Sequence, residues 1–117
     1  MKRVFLKGLA AALCLGAVAL PAAAQESKLV KIVVPFNPGG GSDLFARLIA
    51  PGLSEALKLN VIVENRPGAG GVIGADFVAK SKPDGHTLLI SDASAYAINP
   101  SLYPNLPYKA SQLTPVI

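Results

Sequence analysis

The chain has 117 residues, of which 51% are apolar, with 11 basic residues against 7 acidic ones and a single histidine. A lone cysteine excludes a disulfide framework, and the scatter of His, Asp and Glu excludes a dedicated metal centre. Three of the basic residues, Lys2, Arg3 and Lys7, sit at the start. Without them eight basic residues face seven acidic ones and no basic stripe remains, which excludes nucleic acid as a partner.

The N-terminus has three parts. The charged start is followed by an apolar run from Gly8 to Leu20, then Pro21 and the small residues Ala22-Ala23-Ala24. That order is the plan of a cleavable secretory signal peptide, and the run is shorter than the ~20 apolar residues a spanning helix needs. Residues 1–24 are therefore read as a signal peptide cut before Gln25. Lys2-Arg3 is not a twin-arginine motif, and Leu13 before Cys14 does not fit a lipoprotein cut. Cys14 leaves with the signal, so the mature chain carries no thiol nucleophile.

Val30–Phe36, rich in β-branched residues, predicts a buried strand. Asn37-Pro38-Gly39-Gly40-Gly41 predicts a loop, with Ser42 or Asp43 capping the helix behind it. Leu44, Leu48 and Ile49, extended by Leu53, Ala56 and Leu57, supply the helix's apolar stripe. Pro51-Gly52 predicts a kink in one continuing helix, and Asn60 its left-handed C-terminal residue. Val61–Val63 is the second strand and Asn65–Gly71 a second Gly-rich loop. A helix over about Ile73–Ala79, a turn at Lys82–Gly85 and a third strand at Thr87–Ile90 follow. Ser91-Asp92-Ala93-Ser94 is a third polar loop. Tyr96–Tyr108 is irregular, with one short helix near Asn99–Tyr103, and Leu113–Ile117 reads as the approach to a strand.

Strands alternating with helices predict an α/β fold: a parallel-sheet βαβαβ unit. Ligands of such sheets sit beyond the C-terminal ends of the strands, where all three polar loops gather. The first loop carries the strongest signal. Three consecutive glycines expose backbone N–H groups, and the helix start behind them adds free donors and partial positive charge. Together they suit a carboxylate or phosphate, although the same residues also suit a plain tight turn into a helix. A β-branched side chain at Gly41 is expected to fill the space a ligand needs and to resist any positive φ the loop requires.

Other chemistries fail on their motifs. No Lys follows the first glycines, as a phosphate-binding P-loop requires, and Ile73 stands where the dinucleotide fingerprint needs its third glycine. There is no Gly-x-Ser-x-Gly elbow. His86 precedes the third strand, at the end away from the loops, and is read as structural or exposed. Neither catalytic residues nor a metal or cofactor is expected. Arg47 and Arg66 could each clamp a carboxylate, but Arg47 is read as a helix-supporting charge and Arg66, held extended before Pro67, as part of the loop's architecture. Ser91, Asp92 and Ser94 suit a small polar ligand, and Tyr96 and Tyr103 suit either core or cleft wall.

Four ordered motifs carry a resemblance: Val33-Val34-Pro35-Phe36-x-Pro38-Gly39-Gly40-Gly41-Ser42-Asp43, Val63-Glu64-Asn65-Arg66-Pro67-Gly68-Ala69-Gly70-Gly71, Pro83-Asp84-Gly85-x-Thr87-Leu88-Leu89 and Ile98-Asn99-Pro100-Ser101-Leu102-Tyr103. The chain resembles the Bug family, the periplasmic substrate-binding components of tripartite tricarboxylate transporters. It departs at Pro51 and Lys58-Leu59, which bears on the shape of the first helix. The resemblance implies a two-domain type II periplasmic-binding-protein clamshell, of which residues 25–117 would be the N-terminal part of domain I. It implies a periplasmic protein, monomeric at full length, that closes over a small carboxylated ligand and delivers it to membrane transporter subunits. Carried onto this sequence, its contacts are Phe36, Asn37, Pro38, Gly39, Gly40, Gly41, Ser42 and Asp43, then Gly68, Ala69, Gly70 and Gly71, then Ser91, Asp92, Ala93 and Ser94. Binding in the family runs largely through backbone N–H groups and bridging waters. A clamshell needs roughly 250–300 residues, so the chain is expected to be a fragment of a longer protein. Two other readings stay open: an exported binding protein that serves a sensor, and an exported α/β enzyme whose catalytic residues lie elsewhere in the longer chain.

Overall fold

The computed structural model describes residues 29–117; the signal peptide read at residues 1–24 lies outside the described residues. Strand β1, Leu29–Val34, is the centre of a three-stranded sheet of order β2-β1-β3. It runs parallel to β2 (Asn60–Asn65), with Leu29 opposite Asn60 and Val34 opposite Asn65. It also runs parallel to β3 (Thr87–Leu89), with Lys31 opposite Thr87 and Val33 opposite Leu89. A central parallel strand is covered on both faces, which is why its sequence is nearly continuous in apolar residues.

Side chains alternate between the two faces of the sheet. On one face Ile32 and Val34, with Val61, Val63 and Ile90, pack against Ala46, Ala50 and Leu53 of helix α1, Gly41–Leu57. A second cluster takes Leu89, Val72, Ala75 and Ala79 together with Ala95, Leu106, Tyr108 and Leu113, and includes helix α2, Val72–Ala79. The predicted α/β architecture is the observed one.

Several local expectations change. The stripe of α1 has helical period but a different phase: Leu44 and Leu48 are 61% and 77% exposed, while Asp43, Ala46 and Ala50 are buried. Small side chains on the inner face let the helix backbone approach the sheet closely, and this outweighs the larger apolar surface of the leucines. The helix begins two or three residues earlier than predicted, with Gly40 as its cap in place of Ser42 or Asp43. It runs unbroken through Pro51 as a single helix. Its left-handed C-terminal residue is Lys58 (φ 53°, ψ 36°), and Asn60 instead opens β2.

After β3 the chain makes a wide helical turn at Ser94–Ile98 and a short helix α3, Asn99–Leu102. Tyr108 is buried and its hydroxyl donates to the Ala95 carbonyl at 2.6 Å, anchoring the later segment on the core. Leu113–Ile117, read as the approach to a strand, has no regular structure.

Candidate functional site

All three polar loops leave the C-terminal ends of the parallel strands, the edge where such sheets bind ligands. They are tied together by side chains on which sequence reasoning placed little weight. The Asp43 carboxylate is 2% exposed and accepts three donors: the Gly39 N–H at 2.9 Å, Arg47 Nε at 3.1 Å and Asn65 Nδ2 at 2.9 Å. Asn65 also donates to the Phe36 carbonyl at 3.1 Å and accepts from the second arm of Arg47 at 3.1 Å. The first loop, the start of α1 and the end of β2 therefore form one knot. Hydrogen bonds from Arg47, Gly39 and Asn65 hold the Asp43 carboxyl at about 2, well below its ordinary range.

This knot fixes what the first loop can offer. Asp43 is saturated by the protein, and the Gly39 N–H is spent on it. Gly41 and Ser42 lie in the first turn of α1, where N–H groups have no acceptor within the helix. Nothing among the described residues accepts from the N–H of Gly41 or Ser42. Positive φ falls at Gly39 (89°), not at Gly41, so the backbone freedom expected of Gly41 is not what its position requires.

Gly41 and Ser42 border a cleft of about 390 Å3 shared with Ser91 and Asp92 of the third loop. Phe45 lines it too, and Leu89 and Ile90 form part of its wall. Asp92 is exposed and accepts the Ser94 N–H at 2.8 Å; the Ser94 and Ser91 groups hold its carboxyl below the usual range. The cleft thus joins two of the three predicted segments.

The second loop has a different geometry. Gly68, Gly70 and Gly71 all have positive φ, as does Ala69. A Cβ on Gly71 would touch the Phe36 ring at 3.6 Å, and one on Gly68 would fall on Ile73 Cδ1. Asn99, 2% exposed, donates to the Gly70 carbonyl at 3.1 Å. This loop buttresses Pro35 and Phe36 from behind and does not line the cleft of Gly41 and Asp92.

The arginines act as the sequence suggested. Arg47 is engaged by Asp43 and Asn65. Arg66 pairs with Glu64 and stacks on Phe77, 3.7 Å from the ring centroid, while Lys31 pairs with Glu64 at 2.6 Å. Lys31 first, then Arg66, draws the Glu64 carboxyl below its ordinary value. His86 is bound to Asp84 at the opposite end of β3. Tyr96 is exposed, and the Tyr103 hydroxyl lies 3.5 Å from where a Gly70 Cβ would sit. Among the described residues no cluster could hold a metal ion. Sequence reasoning missed Asn65 and Asn99. Their signal was their place beside the glycines, within two of the ordered motifs.

Residues 45–117 match the family described as tripartite tricarboxylate transporter family receptor. The chain is 47% identical over 103 residues to Protein BugT of Bordetella pertussis, covering 85% of this chain and 32% of that one. The chain belongs to the Bug family of tripartite tricarboxylate transporter receptors. Among solved structures, periplasmic binding protein BugD matches with a TM-score of 0.66 at 43% identity, over 70% of this chain and 27% of that one. MatC of Rhodopseudomonas palustris, solved with bound malate, matches with a TM-score of 0.66 at 39% identity, over 70% of this chain and 28% of that one. The chain thus spans about a third of the length of these Bug-family relatives. Its structural neighbours are binding proteins of the periplasm.

Proposed function

We propose that this Bug-family chain is part of an extracytoplasmic solute-binding protein that captures a small organic carboxylate and hands it to the membrane subunits of a tripartite tricarboxylate-type transporter. In this reading residues 1–24 are a cleaved signal peptide, residues 25–117 belong to the first lobe of a two-domain clamshell, and the protein works in the periplasm as a monomer without catalysis. The observation that carries it is the pair of unaccepted N–H groups at Gly41 and Ser42, which opens on a cleft at the C-terminal edge of a parallel sheet. Donors fixed at a helix start favour an anion without a basic side chain. Both arginines near the loops are committed to carboxylates of the protein, which leaves the backbone to hold the ligand.

The test compares two variants of the full-length protein by calorimetric titration with a panel of short di- and tricarboxylates. Gly41→Val places a branched side chain where a Cβ meets nothing within 4 Å, so the fold tolerates it while the ligand loses its space. Losing two charge-assisted hydrogen bonds of ~1.5–3 kcal/mol each weakens binding by about two orders of magnitude or more. Arg66→Ala leaves affinity within a few-fold. Normal binding by Gly41→Val together with loss of binding in Arg66→Ala would replace the backbone cradle with an arginine clamp.

A further inference from the structure

We infer that Arg47 sets how tightly the cleft holds an anion by acting through Asp43: its guanidinium cancels the carboxylate that stands at the helix start where the anion is held. The inference rests on the carboxylate reading above and adds an affinity-determining residue that works from behind the donors. A carboxylate in the first turn of α1 serves the helix and opposes the ligand. Asp43 is the third residue of the helix and suits its partly positive end. It accepts the Gly39 N–H, so its charge stands beside the same short stretch of backbone that presents the Gly41 and Ser42 donors. The carboxyl is 2% exposed and titrates at about 2, so at neutral pH it is ionised and poorly screened by water. An anion held at those donors meets a fixed like charge close by.

The three partners of Asp43 answer this charge differently. The Gly39 N–H and the Asn65 amide supply hydrogen bonds but no net charge. Arg47 supplies both. Its Nε lies 3.1 Å from each Asp43 oxygen, and its second arm is tied to Asn65 Oδ1 at 3.1 Å. The guanidinium is thus held over the carboxylate from two sides, although its side chain is half exposed. It stays protonated wherever the protein is folded, so the pair keeps the helix start close to neutral. The aligned N–H groups then keep their attraction for an anion while Asp43 keeps the loop in place.

Calorimetric titration of the full-length protein with succinate, malate and citrate, in four forms, tests this. With folding confirmed by circular dichroism, Arg47→Gln should weaken binding about tenfold, because Asp43 is left uncompensated. Asp43→Asn keeps an oxygen for the Gly39 N–H and removes the charge; it should strengthen binding about threefold or more, because Arg47 then adds to the positive field. The double variant restores the balance and should return to within about threefold of the native affinity. A knot that only holds the loop in shape gives losses in all three variants, with the double variant the weakest. Should Arg47→Gln fail to fold, the sign of the Asp43→Asn effect carries the test alone. Native affinity in a folded Arg47→Gln, weaker binding in Asp43→Asn, or a double variant that binds no better than Arg47→Gln overturns the proposal while leaving the carboxylate reading intact. Binding of none of the three acids by the native protein overturns the carboxylate reading and the proposal with it.

Discussion

Two glycine-rich loops follow adjacent strands of this sheet, and their glycines serve opposite ends. In the first loop a Cβ added at Gly39 or Gly41 meets nothing within 4 Å, and one at Gly40 meets only the Asn37 carbonyl at 3.7 Å. In the second, a Cβ at Gly71 meets Phe36 and Pro35 at 3.6 Å. One at Gly74, in the first turn of α2, stands 2.7 Å from Pro35 Cβ and 3.0 Å from the Arg66 carbonyl. Glycine in the first loop leaves space and exposed donors. In the second it lets two pieces of backbone press together, with the left-handed conformations that side chains resist. Similar composition therefore yields a candidate ligand edge in one place and its buttress in the other.

The largest effects separate the loops by readout. Gly41→Val is expected to lower carboxylate affinity a hundredfold or more with an unchanged melting temperature. Gly74→Val is expected to cost about 2–3 kcal/mol of stability, read by denaturant titration, because backbone atoms of Pro35 and Arg66 cannot step aside. If Gly41→Val unfolds the protein as Gly74→Val does, the distinction between the loops collapses.

The link between the loops comes next. Asn65→Ala removes the donor shared by Phe36 and Asp43 and should cost about 1–3 kcal/mol, measured in the same titration. Asp43 adds a pH signature. Its carboxyl titrates at about 2 in the fold against an ordinary 3.8. A depressed folded value means the contribution is fully present above the ordinary value and is lost as pH falls from there through about 2. Asp43→Asn should flatten that part of the acid limb of stability against pH. A limb that keeps its slope would show that the knot does not couple to folding.

The smallest effect lies at the far end of α1. Lys58 takes the left-handed position that closes the helix, a conformation costing roughly 1–2 kcal/mol for a residue with a Cβ. Lys58→Gly should gain about 0.5–1 kcal/mol, part of that relief being offset by glycine's greater freedom when unfolded. A loss of stability would mean that the lysine side chain makes up for the strain of its backbone.

The order of strands and helices, the three loops at one edge and the supporting roles of Arg47 and Arg66 were all legible in the residues. Each rests on a local signal: β-branched runs make strands, Pro and Gly break them, and a residue before proline stays extended. The phase of α1 was not legible, because burial of Ala46 and Ala50 in place of Leu44 and Leu48 depends on how closely the helix approaches the sheet. Nor was the division between the glycine loops. Periodicity and composition describe one segment at a time, whereas the Asp43 knot joins Gly39 to Asn65 and the buttress sets Gly74 on Pro35. Sequence alone determined which backbone groups could be free. Only the tertiary structure decided which of them are, because a donor's freedom depends on acceptors brought to it from distant parts of the chain.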